Sequence, residues 1–288
     1  MALALAMPAF STPAAAAPTS KGKVLVIMSG AHELELKDGK TYKTGNYLDE
    51  VAIPVRALLA AGYTPVFASP GGVVPAIDVN SENATFYYGG DTAALKADQA
   101  LWAKLDGLKH PKNLSEVAAA GTSEYVGVFV PGGFAPLQDL VANKDLGKIL
   151  LSFHANARPT AMICHGPIAL ISTLSDPAAF EAAMVDGNLS KAHELAAGWP
   201  YAGYRLTVFS SSEELLAPPQ LGGHPKFFVS DALSQAGAHV DRLQQGAVNV
   251  IEDRELITGQ QPFSSNALGA AFVSKLDAAT SSSRGTAK

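Results

Sequence analysis

Pro159-Thr160-Ala161-Met162-Ile163-Cys164-His165-Gly166-Pro167-Ile168-Ala169-Leu170 holds the only cysteine of the chain, at the point where a short apolar strand turns sharply into a helix. A side chain at the tip of such an elbow is held away from the backbone. The unpaired N–H groups of the first helical turn favour negative charge beside it, which eases formation of a thiolate. A lone cysteine is commonly an inert, buried hydrophobe. Cys-His-Gly at a strand-to-helix junction points instead to a nucleophile, Cys164, with His165 beside it.

Working outward, the pattern alternates strand and helix. Lys23 to Met28 is a continuous apolar run ending at Ser29-Gly30, as expected for a strand buried on both faces of a parallel sheet. Tyr47 to Ala61 carries helical apolar spacing and stops at Gly62, and Thr64 to Ala68 reads as the next strand. Val126 to Val130 gives a third strand, Leu140 to Ala155 a helix, Thr160 to Ile163 a fourth strand and Tyr204 to Phe209 a fifth. Val248 to Ile251 and Glu255 to Ile257 form a late strand pair, followed by a closing helix over Asn266 to Leu276. Such alternation predicts a mostly parallel sheet between two helical layers, with reactive groups outside the carboxyl ends of the strands. Val73 to Glu124, with a helix over Thr92 to Leu105, is longer than a crossover requires and reads as a cap-like insertion. Trp199-Pro200-Tyr201 lies in a second long connection, where packing is the more ordinary use of the aromatics.

With 288 residues, 48% hydrophobic and 16% charged, the chain suits one large α/β domain over residues 21–276. Its net charge of −5 leaves no footprint for nucleic acid, and no interior run reaches the roughly 20 apolar residues of a membrane helix. Residues 1–20 contain an apolar, Ala-rich stretch with Ala-x-Ala options before Pro18, which reads as an export signal, without the usual leading Lys or Arg, or else as a tail. The signal reading implies a periplasmic or otherwise exported protein, the tail reading a cytoplasmic one. Residues 277–288 read as a polar, frayed tail. The histidines are scattered without metal-ligand spacing, and neither Gly71-Gly72 nor Gly132-Gly133 completes a nucleotide loop, so no metal and no cofactor is expected.

Several separated segments carry a resemblance. Val130-Pro131-Gly132-Gly133-Phe134-Ala135-Pro136-Leu137-Gln138-Asp139-Leu140, Ile163-Cys164-His165-Gly166-Pro167, Phe209-Ser210-Ser211-Ser212-Glu213-Glu214 and Leu256-Ile257-Thr258-Gly259-Gln260-Gln261-Pro262 together resemble the ThiJ/PfpI family. Tyr42 to Glu50 is similar to its HchA-like branch, described as glyoxalase III enzymes and chaperones, and the similarity runs from about Lys21 to about Leu276. The resemblance implies a flavodoxin-like three-layer sandwich in the class I glutamine amidotransferase-like superfamily. It also implies Cys164 as nucleophile with His165 beside it, Glu214 (or Glu213) as the carboxylate orienting that histidine, and Glu50 as the carboxyl that approaches the sulfur and moves protons. Backbone amides at Gly132 or Gly133 and at His165 resemble the family's oxyanion hole. Phe134-Ala135 departs from the family's usual His-Gly, removing a polar group expected near the pocket mouth.

The implied activity is cofactor-free conversion of a small carbonyl substrate, a 2-oxoaldehyde such as methylglyoxal, to a 2-hydroxy acid. A cysteine hydrolase or hydratase acting on an amide, ester or isonitrile would use the same nucleophile. A redox-responsive holding chaperone would need no turnover. Assembly into a homodimer is left open by the sequence.

Overall fold

The computed structural model describes residues 20–285. The expected export signal at residues 1–20 therefore lies, but for Ser20, outside the described residues.

Among the described residues eleven strands are numbered in chain order: β1 (Lys23–Ile27), β2 (Glu33–Glu35), β3 (Thr41–Lys43), β4 (Thr64–Ser69), β5 (Lys112–Asn113), β6 (Tyr125–Val130), β7 (Thr160–Ile163), β8 (Arg205–Leu206), β9 (His239–Val240), β10 (Val250–Asp253) and β11 (Leu256–Gly259). Seven of these build the central sheet in the order β10-β11-β7-β6-β1-β4-β5. Neighbours run parallel except at one edge, where β10 returns antiparallel to β11 as a hairpin. Short paired segments β2–β3 and β8–β9 stand apart from it.

β1 shows why the sheet is covered on both sides. Val24, Val26 and Met28 enter one apolar cluster and Leu25 and Ile27 the other, the period of two that a strand imposes. One covering layer is α1 (Leu48–Ala60) with the closing helix Ser265–Gly285, whose Leu268, Phe272 and Leu276 are fully buried. The opposite layer contains helix Lys144–Ala155 and the 3₁₀ segment Gly166–Thr173, with Leu146, Leu150 and Phe153 buried. The three-layer α/β sandwich with a mostly parallel sheet is thus present. Among the described residues no helix is long and apolar enough to cross a membrane.

Two expectations need correction. Only Arg205–Leu206 of the Tyr204–Phe209 run is strand, and it pairs with β9 outside the central sheet. Beyond it the amides leave the ladder: Thr207 N–H donates to the Thr258 hydroxyl at 2.8 Å and Phe209 N–H to the Cys164 carbonyl at 3.0 Å. The helix expected after the elbow is present as the 3₁₀ segment Gly166–Thr173. The expected frayed tail over residues 277–288 is helical as far as Gly285. Asp277 there takes hydrogen bonds from Lys21 Nζ and the Tyr63 hydroxyl, both at 2.8 Å, while Thr280 and Ser281 hydroxyls return to helix carbonyls.

Where the closing helix crosses β6, there is no room for a side chain at Gly127. A Cβ there would stand 2.6 Å from Leu276 Cδ2 and 3.0 Å from the Pro159 carbonyl oxygen. Gly127→Ala should therefore destabilise the protein by about 1–3 kcal/mol, the cost of overpacking, as read from urea unfolding midpoints. A midpoint unchanged from wild type would show that this crossing is not tightly packed.

Candidate active site

The site is assembled at the carboxyl ends of β6 and β7. Cys164 directly follows β7 with φ +60°, a left-handed backbone conformation that costs a non-glycine residue about 1–3 kcal/mol. Its amide donates to the Gly259 carbonyl at 2.9 Å, and its carbonyl accepts from Phe209 N–H at 3.0 Å. Neighbouring chain segments on both sides thus pin the strained residue and aim its sulfur across the strand ends.

His165 is turned back onto that sulfur, with Nδ1 3.3 Å from Cys164 Sγ. Its Nε2 lies 2.8 Å from Glu214 Oε1, and both side chains are buried. An ionised Glu214 takes the Nε2 proton as a hydrogen bond, which leaves the Nδ1 lone pair facing the thiol. Cys164, His165 and Glu214 form a nucleophile–base–orienter series of the kind used in covalent catalysis. Glu213, the alternative orienter, is committed elsewhere: its Oε2 accepts from Ser210 N–H at 3.0 Å, the Ser210 hydroxyl at 2.6 Å and Gln260 Nε2 at 3.0 Å.

Glu50 approaches from the other side. It sits in the first turn of α1, whose N-terminus is tied down by Leu48 N–H to the Ser81 hydroxyl at 3.0 Å and Tyr47 N–H to the Gly132 carbonyl at 3.3 Å. A Cβ at Gly132 would lie 2.6 Å from both Glu50 Oε2 and Cys164 Cβ, so only glycine lets these groups meet. Glu50 is fully buried, and neither of its oxygens has a partner in good hydrogen-bond geometry. Burial first, and the neighbouring Asp49 carboxyl second, push its pKa well up, against the pull of the Cys164 thiol and the Gly132 and Gly133 N–H groups. Asp49, also buried, is raised to about 7, mainly by desolvation.

The sulfur shares this fate. Burial, then the Glu50 charge, pushes the Cys164 thiol well above its ordinary range, although the Gly133 and His165 N–H groups pull the other way. The expectation of an elbow that simply eases thiolate formation is thereby corrected. The helix-end N–H groups are there, but desolvation and a facing carboxyl outweigh them. The backbone amides also divide their work. Gly133 N–H acts on both the sulfur and Glu50, His165 N–H on the sulfur, and Gly132 N–H on Glu50.

Cys164 and His165 open onto a cavity of about 270 Å³. Phe134 is not at its mouth. It is buried at the floor, its ring 4.4 Å from the imidazole centroid, and Phe209 stacks on the same imidazole at 4.8 Å. Tyr47, Phe86, Tyr87 and Phe263 continue the wall. Of the long insertion, the short helix Ala84–Tyr87 reaches the cavity, and Thr92–Lys104 packs beside α1 instead. Trp199 and Tyr201 are buried away from it, with the Trp199 indole N–H bonded to Thr173 and Leu170. Sequence reasoning missed Tyr47, Phe209 and Phe263 as wall residues, though each lies within or next to a segment that carried the family resemblance. Among the described residues no group of three or more His, Cys, Asp or Glu could hold a metal. A more open groove of about 730 Å³, lined by Lys37, His224 and Phe228, lies apart from the cysteine.

The opposed ionisation of Glu50 and Cys164 has a measurable sign. The Cys164 iodoacetamide rate should rise with pH at a midpoint above that of a free cysteine, and Glu50→Gln, which removes the facing charge, should move that midpoint down. A wild-type midpoint below a free thiol's would contradict the pairing.

Residues 42–175 match the DJ-1/PfpI family, a span that includes Glu50, Gly132, Gly133, Cys164 and His165. Over 262 residues the chain is 29% identical to the protein/nucleic acid deglycase HchA of Staphylococcus aureus strain Newman and 28% identical to that of strain JH9. These alignments cover 89% of this chain and 80% of each relative. Among solved structures, the rapid encystment protein of Francisella tularensis superposes with a TM-score of 0.68 at 22% identity, covering 88% of this chain and 99% of that one. The glyoxalase III of Candida albicans superposes with a TM-score of 0.65 at 20% identity, covering 90% and 98%. These structures share the fold, and the sequence is similar to the DJ-1/PfpI family over residues 42–175 and to the HchA proteins over most of its length.

Proposed function

We propose that the protein is an enzyme that converts a 2-oxoaldehyde of the methylglyoxal type into the corresponding 2-hydroxy acid, with Cys164 as nucleophile. The observation that carries this reading is a thiol served from two sides, by His165 Nδ1 at 3.3 Å and by the buried, proton-retaining Glu50 carboxyl. The deglycase name borne by the HchA relatives supports activity in this part of the family.

In the proposed cycle, His165 takes the thiol proton and the sulfur adds to the aldehyde carbon, giving a hemithioacetal. Gly133 and His165 N–H groups hold the developing oxyanion. The former aldehyde C–H proton is then removed and a proton delivered to the neighbouring carbon, through an enediol, leaving a 2-hydroxy thioester. Water cleaves the thioester, returns a proton to the sulfur and releases the acid. The sum is aldehyde plus water to hydroxy acid: one carbon is oxidised, its neighbour reduced, and no external electron acceptor is needed. Glu50 is assigned the carbon-to-carbon transfer because it meets the sulfur across Gly132 and burial raises its pKa. Its proton goes first to the 2-oxo oxygen, the carboxylate so formed takes the C–H proton and returns it to the neighbouring carbon, and the proton of the former aldehyde oxygen restores the carboxyl.

A cysteine hydrolase would use the triad alone and leave Glu50 without a task. The variants separate the two readings. With methylglyoxal and lactate detection, Cys164→Ala should abolish turnover, Glu50→Gln should lower kcat by about 10²-fold or more, and Glu214→Gln should leave a measurable residual rate because an amide can still hold the imidazole. Thermal melting should stay comparable throughout. Full lactate formation in Glu50→Gln would remove this glutamate from the mechanism. Amide or ester cleavage that survives Glu50→Gln, with no acid made from methylglyoxal, would establish the hydrolase.

A further inference from the structure

We propose that this site selects neutral 2-oxoaldehydes bearing a bulky apolar or aromatic side group, in preference to methylglyoxal and to carbonyl compounds that carry a carboxylate or phosphate. The inference rests on the aldehyde reading above and adds the identity of the side group.

The first ground is the shape of the wall. The cavity of about 270 Å³ approaches the roughly 300 Å³ at which pockets hold drug-sized ligands, far more than a three-carbon aldehyde fills. Its floor holds Phe134 and Phe209, whose rings lie 4.4 and 4.8 Å from the His165 imidazole and meet each other edge to face at 6.2 Å. Its mouth is a second aromatic group built from two distant segments. Phe86 and Tyr87 come from the helix Ala84–Tyr87, with ring centroids 4.8 Å apart, and Phe263 meets Phe86 at 5.9 Å and Tyr87 at 6.4 Å. Phe86 is 54% exposed and Phe263 36% exposed. Large apolar surface left in water at the rim of a pocket is favourable only when something covers it. Phe86, Tyr87 and Phe263 line the same cavity as Cys164, so an aryl or branched alkyl group has more apolar wall to cover than a methyl group can.

Charge supplies the second ground. Among the described residues no Lys or Arg lines the cavity, and besides Cys164 and His165 its polar lining is Tyr47, Tyr87, Gln220, Gln245, Gln261 and Glu213. An anionic substrate would lose its hydration without gaining a Lys or Arg counter-charge. The glutamine amides offer neutral donors and acceptors, and Gln220 Nε2 already donates to the Tyr47 hydroxyl at 2.8 Å.

Steady-state kinetics with phenylglyoxal and methylglyoxal, together with binding to Cys164→Ala protein, tests the proposal. Wild-type enzyme should give at least a tenfold higher kcat/KM with phenylglyoxal. Phe263→Ala and Phe86→Ala should each lower that ratio several-fold while the melting temperature holds. In the Cys164→Ala protein, acetophenone should bind at least tenfold more tightly than acetone or phenylglyoxylate, and Phe263→Ala should erase the difference. Equal kcat/KM for the two aldehydes, with parallel losses in the variants, overturns the side-group inference and leaves the aldehyde reading in place. Acetophenone binding no tighter than acetone overturns it even if no aldehyde is turned over. Tight acetophenone binding without acid formation from either aldehyde retains the pocket's selectivity and defeats the proposed reaction instead.

Discussion

The close approach of three backbone segments at Gly132 governs the rest of the site. With no side chain at that position, the Glu50 carboxyl and the Cys164 sulfur come together across the strand ends, where a Cβ would stand 2.6 Å from each side chain. The consequence is electrostatic. Burial penalises the charged form of both acids, and a charge on Glu50 further opposes ionisation of the Cys164 thiol. The site therefore holds its protons more firmly than a solvent-exposed cysteine beside a glutamate would. Nucleophilicity then depends on a base that can take the thiol proton locally, and the imidazole of His165 is placed for that.

That imidazole is closely confined. Glu214 fixes one nitrogen, the sulfur faces the other, and Phe134 and Phe209 both pack against the ring. The expected polar group at position 134 would have competed for the ring or for substrate. A phenyl ring there can do neither by hydrogen bonding. It contributes packing against the imidazole. The departure at Phe134 thus changes both the apolar character of the floor and the surroundings of the imidazole within one contact.

The parts of the fold that were legible in the sequence are those where one physical signal dominated. β1, β4, β6 and β7 are runs whose length and apolar continuity leave little room for another reading, and they lie within a residue or two of expectation. The strand expected over Tyr204 to Phe209 failed for a tertiary reason: amides after Leu206 bond to the Thr258 hydroxyl and the Cys164 carbonyl, partners that lie far away in the chain. β5 is two residues long and exists because Lys112 and Asn113 lie beside Ala68 and Ser69, which no local pattern announces. The closing helix runs past Leu276 because Asp277 is held by Lys21 and Tyr63 from the other end of the domain. Cys164, His165, Glu50 and Glu214 could be picked out because motif positions carried them, whereas the rings of the mouth, Phe86 and Phe263, are separated by most of the chain and meet only in three dimensions.

The choice between Glu213 and Glu214 shows a local signal that the resemblance alone did not use. Ser210-Ser211-Ser212-Glu213 has the capping-box spacing, and in the structure Ser210 caps the helix Ser211–Glu214 while the Glu213 carboxylate returns to the Ser210 amide. A glutamate spent on its own helix terminus cannot also orient a histidine. With 3.6 residues per turn, the next position points about 100° around the helix axis, and this rotation presents Glu214 to His165 Nε2. The same box then acts a second time. Gln260, one residue beyond β11, donates to the Glu213 carboxylate, so the carboxylate that caps the helix also ties it to the sheet strand next to the elbow strand. The distance from Glu214 to His165 is thereby set by a cap and a cross-link on its neighbour, and the two adjacent glutamates divide positioning and orientation between them.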